Sequence, residues 1–186
     1  ATFRFQSITT ETFLEFVHRE LPGALEAARA EEWLHAPGLP SDAPSPRSAR
    51  LERLQGLGGE LPSDELAAAW TPTEWSLWLA ALPRPFPREK LEELERRFQL
   101  TASGNYEVLV AWLTLAAESG WEATLPRIEV VLGGVGRMKY LKPLYTALAS
   151  NPATRQLARS CFERFGSGYH PIARAGIAAI LARHAA

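Results

Sequence analysis

Gly136-Arg137-Met138-Lys139 sets two permanent cations two residues apart, just after Gly133 and Gly134. Lys142 follows, so three cations fall between 137 and 142. Residues two apart share a side only where the backbone is extended or looped. Arginine offers a planar fork that matches a carboxylate or phosphate, and lysine adds a point charge. Two such groups on a loop held by a rigid scaffold would bind an anion. A solvated helix–helix connection reads the same way, because surface loops commonly carry charge. Both readings stand on spacing alone.

Other chemistries find less support. The histidines are His18, His35, His170 and His184, and no two are four apart on one helix. His18-Arg19-Glu20 is not a His-Glu-x-x-His zinc motif, so no metal site follows from spacing. Gly133-Gly134-Val135-Gly136 lacks the Gly-Lys-Ser/Thr ending and the preceding strand of a phosphate loop. No serine occupies a Gly-x-Ser-x-Gly elbow. Cys161, the single cysteine, lies in a helical pattern and reads as a buried structural thiol rather than a nucleophile. His170, before Pro171, reads as a helix cap or a buried residue rather than a base. Trp70, Trp75, Trp78, Trp112 and Trp121 read as packing between helices. No catalytic residue is assigned.

Composition narrows the class. With 186 residues, 46% of them hydrophobic, the chain can build a core. A net charge of -1 argues against a nucleic-acid partner, whose binding draws on a basic excess. The longest apolar run, 108–117, is too short to span a membrane. No signal-peptide plan opens the chain. It begins at Ala1 rather than Met, which suggests that the polypeptide continues upstream. One cysteine rules out an internal disulfide framework and fits a reducing, cytoplasmic setting.

The elements that must position the cations are helical. Residues 3–8 alternate apolar and polar and predict a short extended segment. Thr9 or Thr10 caps a helix with Phe13, Phe16, Val17 and Leu21 on one stripe, ended by Pro22-Gly23. Residues 24–35 predict a further helix anchored by Trp33 and Leu34. Pro37, Pro40, Pro44 and Pro46 then make 37–47 a semi-rigid linker. From Ser48 onward helix follows helix: 48–57, one from Ser63, and one from Thr71 with Pro72 at its first position. Next come 87–98, an apolar helix capped by Ser103 or Asn105, 121–132, 139–150, 151–165, and one after His170-Pro171. Residues 133–138 are the break. Short loops and near-absent strand signals predict an all-α fold, a two-layer α-α superhelix of antiparallel pairs of the armadillo or HEAT type.

Particular residues carry a resemblance. Gly136-Arg137-Met138-Lys139-Tyr140-Leu141-Lys142-Pro143-Leu144-Tyr145 resembles the Gly-Arg-Met-Lys-Phe-x-Arg-Pro-Leu-Phe signature of the C-terminal domain of leukotriene A-4 hydrolase and related zinc aminopeptidases, peptidase family M-1. Ser7-Ile8-Thr9-Thr10, Trp33-Leu34-His35-Ala36-Pro37-Gly38-Leu39-Pro40, Trp112-Leu113, Trp121-Glu122-Ala123 and His170-Pro171 look like that family's islands in the same order. Tyr140 and Tyr145 stand where the signature has phenylalanine, and Lys142 where it has arginine. Lys142 is read as structural or solvent-facing.

The resemblance implies that 1–36 is the tail of a preceding catalytic domain, 37–47 a linker and 48–186 the helical C-terminal domain. It implies that Arg137 and Lys139 bind the carboxylate of a short peptide in the cleft of the intact enzyme. Zinc would belong to the full-length enzyme, with none held by this chain and no catalysis by this chain alone. The expected partners are the upstream catalytic domain and a peptide substrate, with no nucleic acid and no membrane. The alternative is an independent armadillo-like scaffold that binds proteins on a concave face.

Overall fold

The computed structural model describes residues 2–184 and divides into two compact units, 1–47 and 48–186; Ala1, Ala185 and Ala186 lie outside the described residues. Among the described residues there are twelve α-helices and no strand.

The first unit holds α1 (Thr10–Glu20), α2 (Ala24–Ala27) and α3 (Ala30–His35). Thr9 caps α1 by accepting from the Thr12 amide. The expected extended start is instead a turn, in which the Gln6 amide donates to the Phe3 carbonyl and Phe5 takes a positive φ of 60°. The single helix expected over 24–35 is broken at Arg29, which sits in the left-handed region and pairs with Glu32 and Asp42. Helix propensity is a weak guide even for alanine and glutamate, and the chain bends at Arg29 despite it. Trp33 and Leu34 are not anchors within this unit, being 46% and 47% exposed. None of its three helices buries a residue.

The second unit carries α4 (Ala49–Gly56), α5 (Asp64–Ala68), α6 (Pro72–Ala81), α7 (Arg88–Phe98), α8 (Tyr106–Glu118), α9 (Leu125–Gly134), α10 (Met138–Ser150), α11 (Arg155–Phe165) and α12 (Pro171–Arg183). In one row, α4, α6, α8, α10 and α12 each pack on the next. Helices α9 and α11 pack together and back onto α8 and α10 as a second layer. The all-α class is as expected, and the two rows of contacts are consistent with the expected superhelical stack. Its core runs through Trp78, Leu91, Leu94, Leu109, Trp112, Leu113, Leu132, Leu144, Tyr145, Leu148 and Ile177, all essentially inaccessible to solvent.

Local chemistry sets most helix ends. Asn105 caps α8 by accepting from the Glu107 amide, and Gly120 ends it with a φ of 72°. The helix expected from Trp121 starts later, because 122–124 form a 3-10 turn and Pro126 then falls in the first turn of α9. At α6, Thr71 and Glu74 form a reciprocal capping box. The Glu74 amide donates to the Thr71 hydroxyl at 3.3 Å, and the Thr71 amide donates to the Glu74 carboxylate at 2.9 Å. Thr71→Ala is therefore expected to destabilise the chain by about 1 kcal/mol, read as a lower urea midpoint at unchanged slope. A midpoint equal to the parent's would mean that packing alone holds this end.

Candidate functional site

The glycine-rich loop is shorter than its glycines suggest. Gly133 and Gly134 belong to the end of α9, so only Val135, Gly136 and Arg137 connect α9 to α10. Gly133 serves packing: a Cβ there would lie 3.1 Å from the Phe165 ring of α11. The close approach of the two helices, not a turn, uses that glycine.

Tyr169 closes the end of α9. Its hydroxyl donates to the Leu132 carbonyl at 2.7 Å, one of the carbonyls that a helix leaves unpaired in its last turn. The Tyr145 hydroxyl lies 3.0 Å from the Tyr169 oxygen, and since Tyr169 gives its proton to Leu132, Tyr145 is the donor. Burial pushes both phenols above their ordinary value.

Arg137 is the N-cap residue of α10, with extended backbone, and Lys139 lies in the first turn. No side chain caps this end, so the helix begins with bare amides and two cations. A helix N-terminus is itself electropositive, so both charges sit where the peptide dipoles disfavour them. Two partners answer this. The Arg137 guanidinium stacks on Tyr140, 5.3 Å from the ring centroid, and Tyr140 lies against Tyr106 with centroids 5.7 Å apart. From α8, Glu107 accepts from the Lys139 ammonium at 2.5 Å and from the Tyr140 hydroxyl at 2.9 Å. These hydrogen bonds, first Lys139 and then Tyr140, hold the Glu107 carboxyl below its ordinary value of 4.5, helped by the charges of Lys139 and Arg137.

Lys139, Tyr140 and Glu107 also line a groove of about 240 Å³ between α6, α8 and α10. Ser76, Arg84, Thr114 and Pro143 complete much of its wall. Arg84 is engaged there, donating to Glu118 at 2.9 Å and to the Leu79 carbonyl at 3.1 Å. Of the two cations at the start of α10, Lys139 is shared with Glu107, whereas Arg137 makes no ion pair among the described residues and is left for a ligand. Lys142 is exposed, as expected.

Glu107 is the site residue that the sequence does not reveal. It lies about thirty residues before the motif, and an acid in the first turn of a helix has a local explanation in the helix dipole. The remaining candidates fall where they are expected. The His170 Nδ1 accepts from the Ile172 amide as a cap of α12. Cys161 is fully buried, and burial pushes its thiol up to about 11. Trp78 and Trp112 are buried, and Trp70, Trp75 and Trp121 pack against the core. Among the described residues no three of His, Cys, Asp and Glu come together to hold a metal. None of their helices is long and apolar enough to cross a membrane.

Comparison with known proteins places the helical domain in a family. The family described as "Leukotriene A4 hydrolase, C-terminal" matches residues 70–181, a span that includes Glu107, Arg137, Lys139 and Tyr169. Leukotriene A-4 hydrolase of Xenopus laevis is 24% identical over 91% of this chain and 30% of its own length. Leucine aminopeptidase 2 of Pyricularia oryzae is 28% identical over 89% and 28%, and that of Neurospora crassa 29% over 88% and 26%. The chain thus spans less than a third of the curated relatives it matches. The native LTA4 hydrolase of Saccharomyces cerevisiae shares the fold, with a TM-score of 0.69 at 22% identity over 95% of this chain and 33% of its own. With more than half of its residues matched, the chain belongs to the leukotriene A4 hydrolase C-terminal family.

Proposed function

We propose that this chain is the C-terminal helical domain of a zinc aminopeptidase of peptidase family M-1, which closes the active-site cleft and holds the carboxylate of a short peptide on Arg137 and Lys139. One observation supports the reading: Arg137 sits at the uncapped start of α10, where the helix dipole favours an anion, and makes no ion pair among the described residues, with Lys139 in the first turn. Arginine's fork would take the carboxylate in two parallel hydrogen bonds. Holding one end of the peptide fixes the distance from that end to the scissile bond, which aids catalysis through orientation and favours short peptides.

Among the described residues no three of His, Cys, Asp and Glu come together, and the chain spans less than a third of the curated relatives it matches, so the zinc and the bond-breaking step are assigned to a catalytic domain of the intact enzyme. Residues 1–36 are assigned to the edge of that catalytic domain, 37–47 to the linker and 48–186 to the cap. The first unit's lack of any buried helical residue, with Phe13, Trp33, Leu34 and Leu39 exposed, supports a segment that packs elsewhere. The proposed setting is the cytoplasm.

The test compares matched tripeptides with a free or an amidated C-terminus on the intact enzyme. The acid is expected to show the higher kcat/KM by about tenfold. Equal values for acid and amide would overturn the anchoring role.

A further inference from the structure

Glu107 poses a problem for an anion site. A carboxylate fixed against Lys139 occupies one of the two cations that a substrate carboxylate would use. Stability does not explain it. Both side chains are solvent-accessible, 55% for Lys139 and 36% for Glu107, and such ion pairs contribute little to folding. Its placement is nevertheless specific. It comes from a different helix, both of its oxygens are engaged by motif residues, and the first turn of α8 favours its negative charge.

We propose that Glu107 is a built-in counter-anion that sets the strength of the carboxylate site, holding Lys139 so that a peptide is gripped chiefly by Arg137 and released after turnover. This rests on the carboxylate-anchoring reading above. An aminopeptidase hydrolyses the bond after the first residue and adds one water across it, so the shortened peptide keeps the C-terminal carboxylate. An anchor on that carboxylate grips substrate and product alike. Binding that does not distinguish ground state from transition state lowers KM without raising kcat, and here it also retains product. Arg137 and Lys139 carry two positive charges and Glu107 one negative, leaving a single net charge at the site. Glu107 therefore weakens the grip, and peptide turnover gains from the weakening.

The experiment uses the intact enzyme with Glu107→Gln, a tripeptide acid, its amide and the dipeptide acid product. Glutamine keeps the shape and removes the charge. KM for the acid and Ki for the product are expected to fall together, roughly three- to tenfold, while the amide stays unchanged and kcat for the acid does not rise. An unchanged or raised KM and Ki for the acids would overturn the proposal. The double variant Glu107→Gln/Lys139→Met removes the pair together and leaves neither charge uncompensated. It is expected to return both constants to within about twofold of the parent; a loss as large as that of Arg137→Ala would overturn the proposal. The two readings fail separately. If the parent enzyme treats acid and amide alike, the anchoring reading fails. If it prefers acids and Glu107→Gln does not tighten them, only the role of Glu107 fails.

Discussion

Arg137→Ala in the intact enzyme is expected to lower kcat/KM for tripeptide acids by about tenfold or more, and to leave the matching amides within about twofold. The magnitude follows from what the guanidinium lacks. Among the described residues it has no carboxylate partner, only Tyr140. A charge-assisted pair with a substrate carboxylate is therefore a net gain rather than an exchange. Tenfold corresponds to about 1.4 kcal/mol, modest for the bidentate contact proposed above. Arg137→Lys keeps the charge but loses the fork, so it should fall between the parent and alanine. The side chain is exposed, so the fold should survive, with stability within about 0.5 kcal/mol of the parent. Equal losses on acids and amides would show that Arg137 shapes the protein and does not bind the carboxylate.

Arg137 stands out as a candidate in the sequence because its signal is local: a cation beside glycine, inside a specific ten-residue signature. The capping box at Thr71 is legible for the same reason, since threonine, proline and glutamate at fixed offsets determine a helix start by themselves. The α-α stack follows from helix lengths and short connections. The failures have a shared physical cause. Glycine permits a turn without requiring one, so Gly133 and Gly134 read as a loop, although Phe165 of α11 explains Gly133 as a packing residue. Arg29 breaks the helix by taking the left-handed region, and neither that bend nor its pairs to Glu32 and Asp42 is encoded in propensity.

Glu107 shows the limit most clearly. A helix-start acid is explained locally, so nothing in the sequence asks for a second role. Only the packing of α8 beside α10 brings it to Lys139 and Tyr140. Tyr140 also changes in meaning. As a departure from the family's phenylalanine it is a mild change. In the structure its hydroxyl donates to Glu107 while its ring supports Arg137, so one side chain joins the free cation to the counter-anion.

The other tyrosine that replaces a phenylalanine of the signature, Tyr145, leads to the second large effect. Tyr169→Phe is expected to destabilise the chain by about 1–3 kcal/mol, and Tyr145→Phe by about 1 kcal/mol or less, though each removes one hydroxyl from the same buried chain of hydrogen bonds. The asymmetry comes from the direction of donation. The proton of Tyr145 goes to Tyr169, and the proton of Tyr169 goes to the Leu132 carbonyl. Removing the Tyr145 hydroxyl leaves Tyr169 still bonded to Leu132. Removing the Tyr169 hydroxyl strands two buried groups at once, the Leu132 carbonyl and the Tyr145 hydroxyl, and an unpaired buried group costs more than a lost bond. The double variant should then be less destabilised than the sum of the singles, because phenylalanine at 145 removes one of the stranded groups. Urea unfolding of the three variants checks the order, and equal effects of the two single changes would contradict it. The consequence reaches the site, because Leu132 lies in the last turn of α9 and only Val135 and Gly136 separate that helix from Arg137. A loosened α9 end should therefore raise KM for peptide acids in the intact enzyme with Tyr169→Phe while leaving amides unaffected, although Tyr169 follows the motif by more than twenty residues and its hydroxyl bonds to neither motif cation.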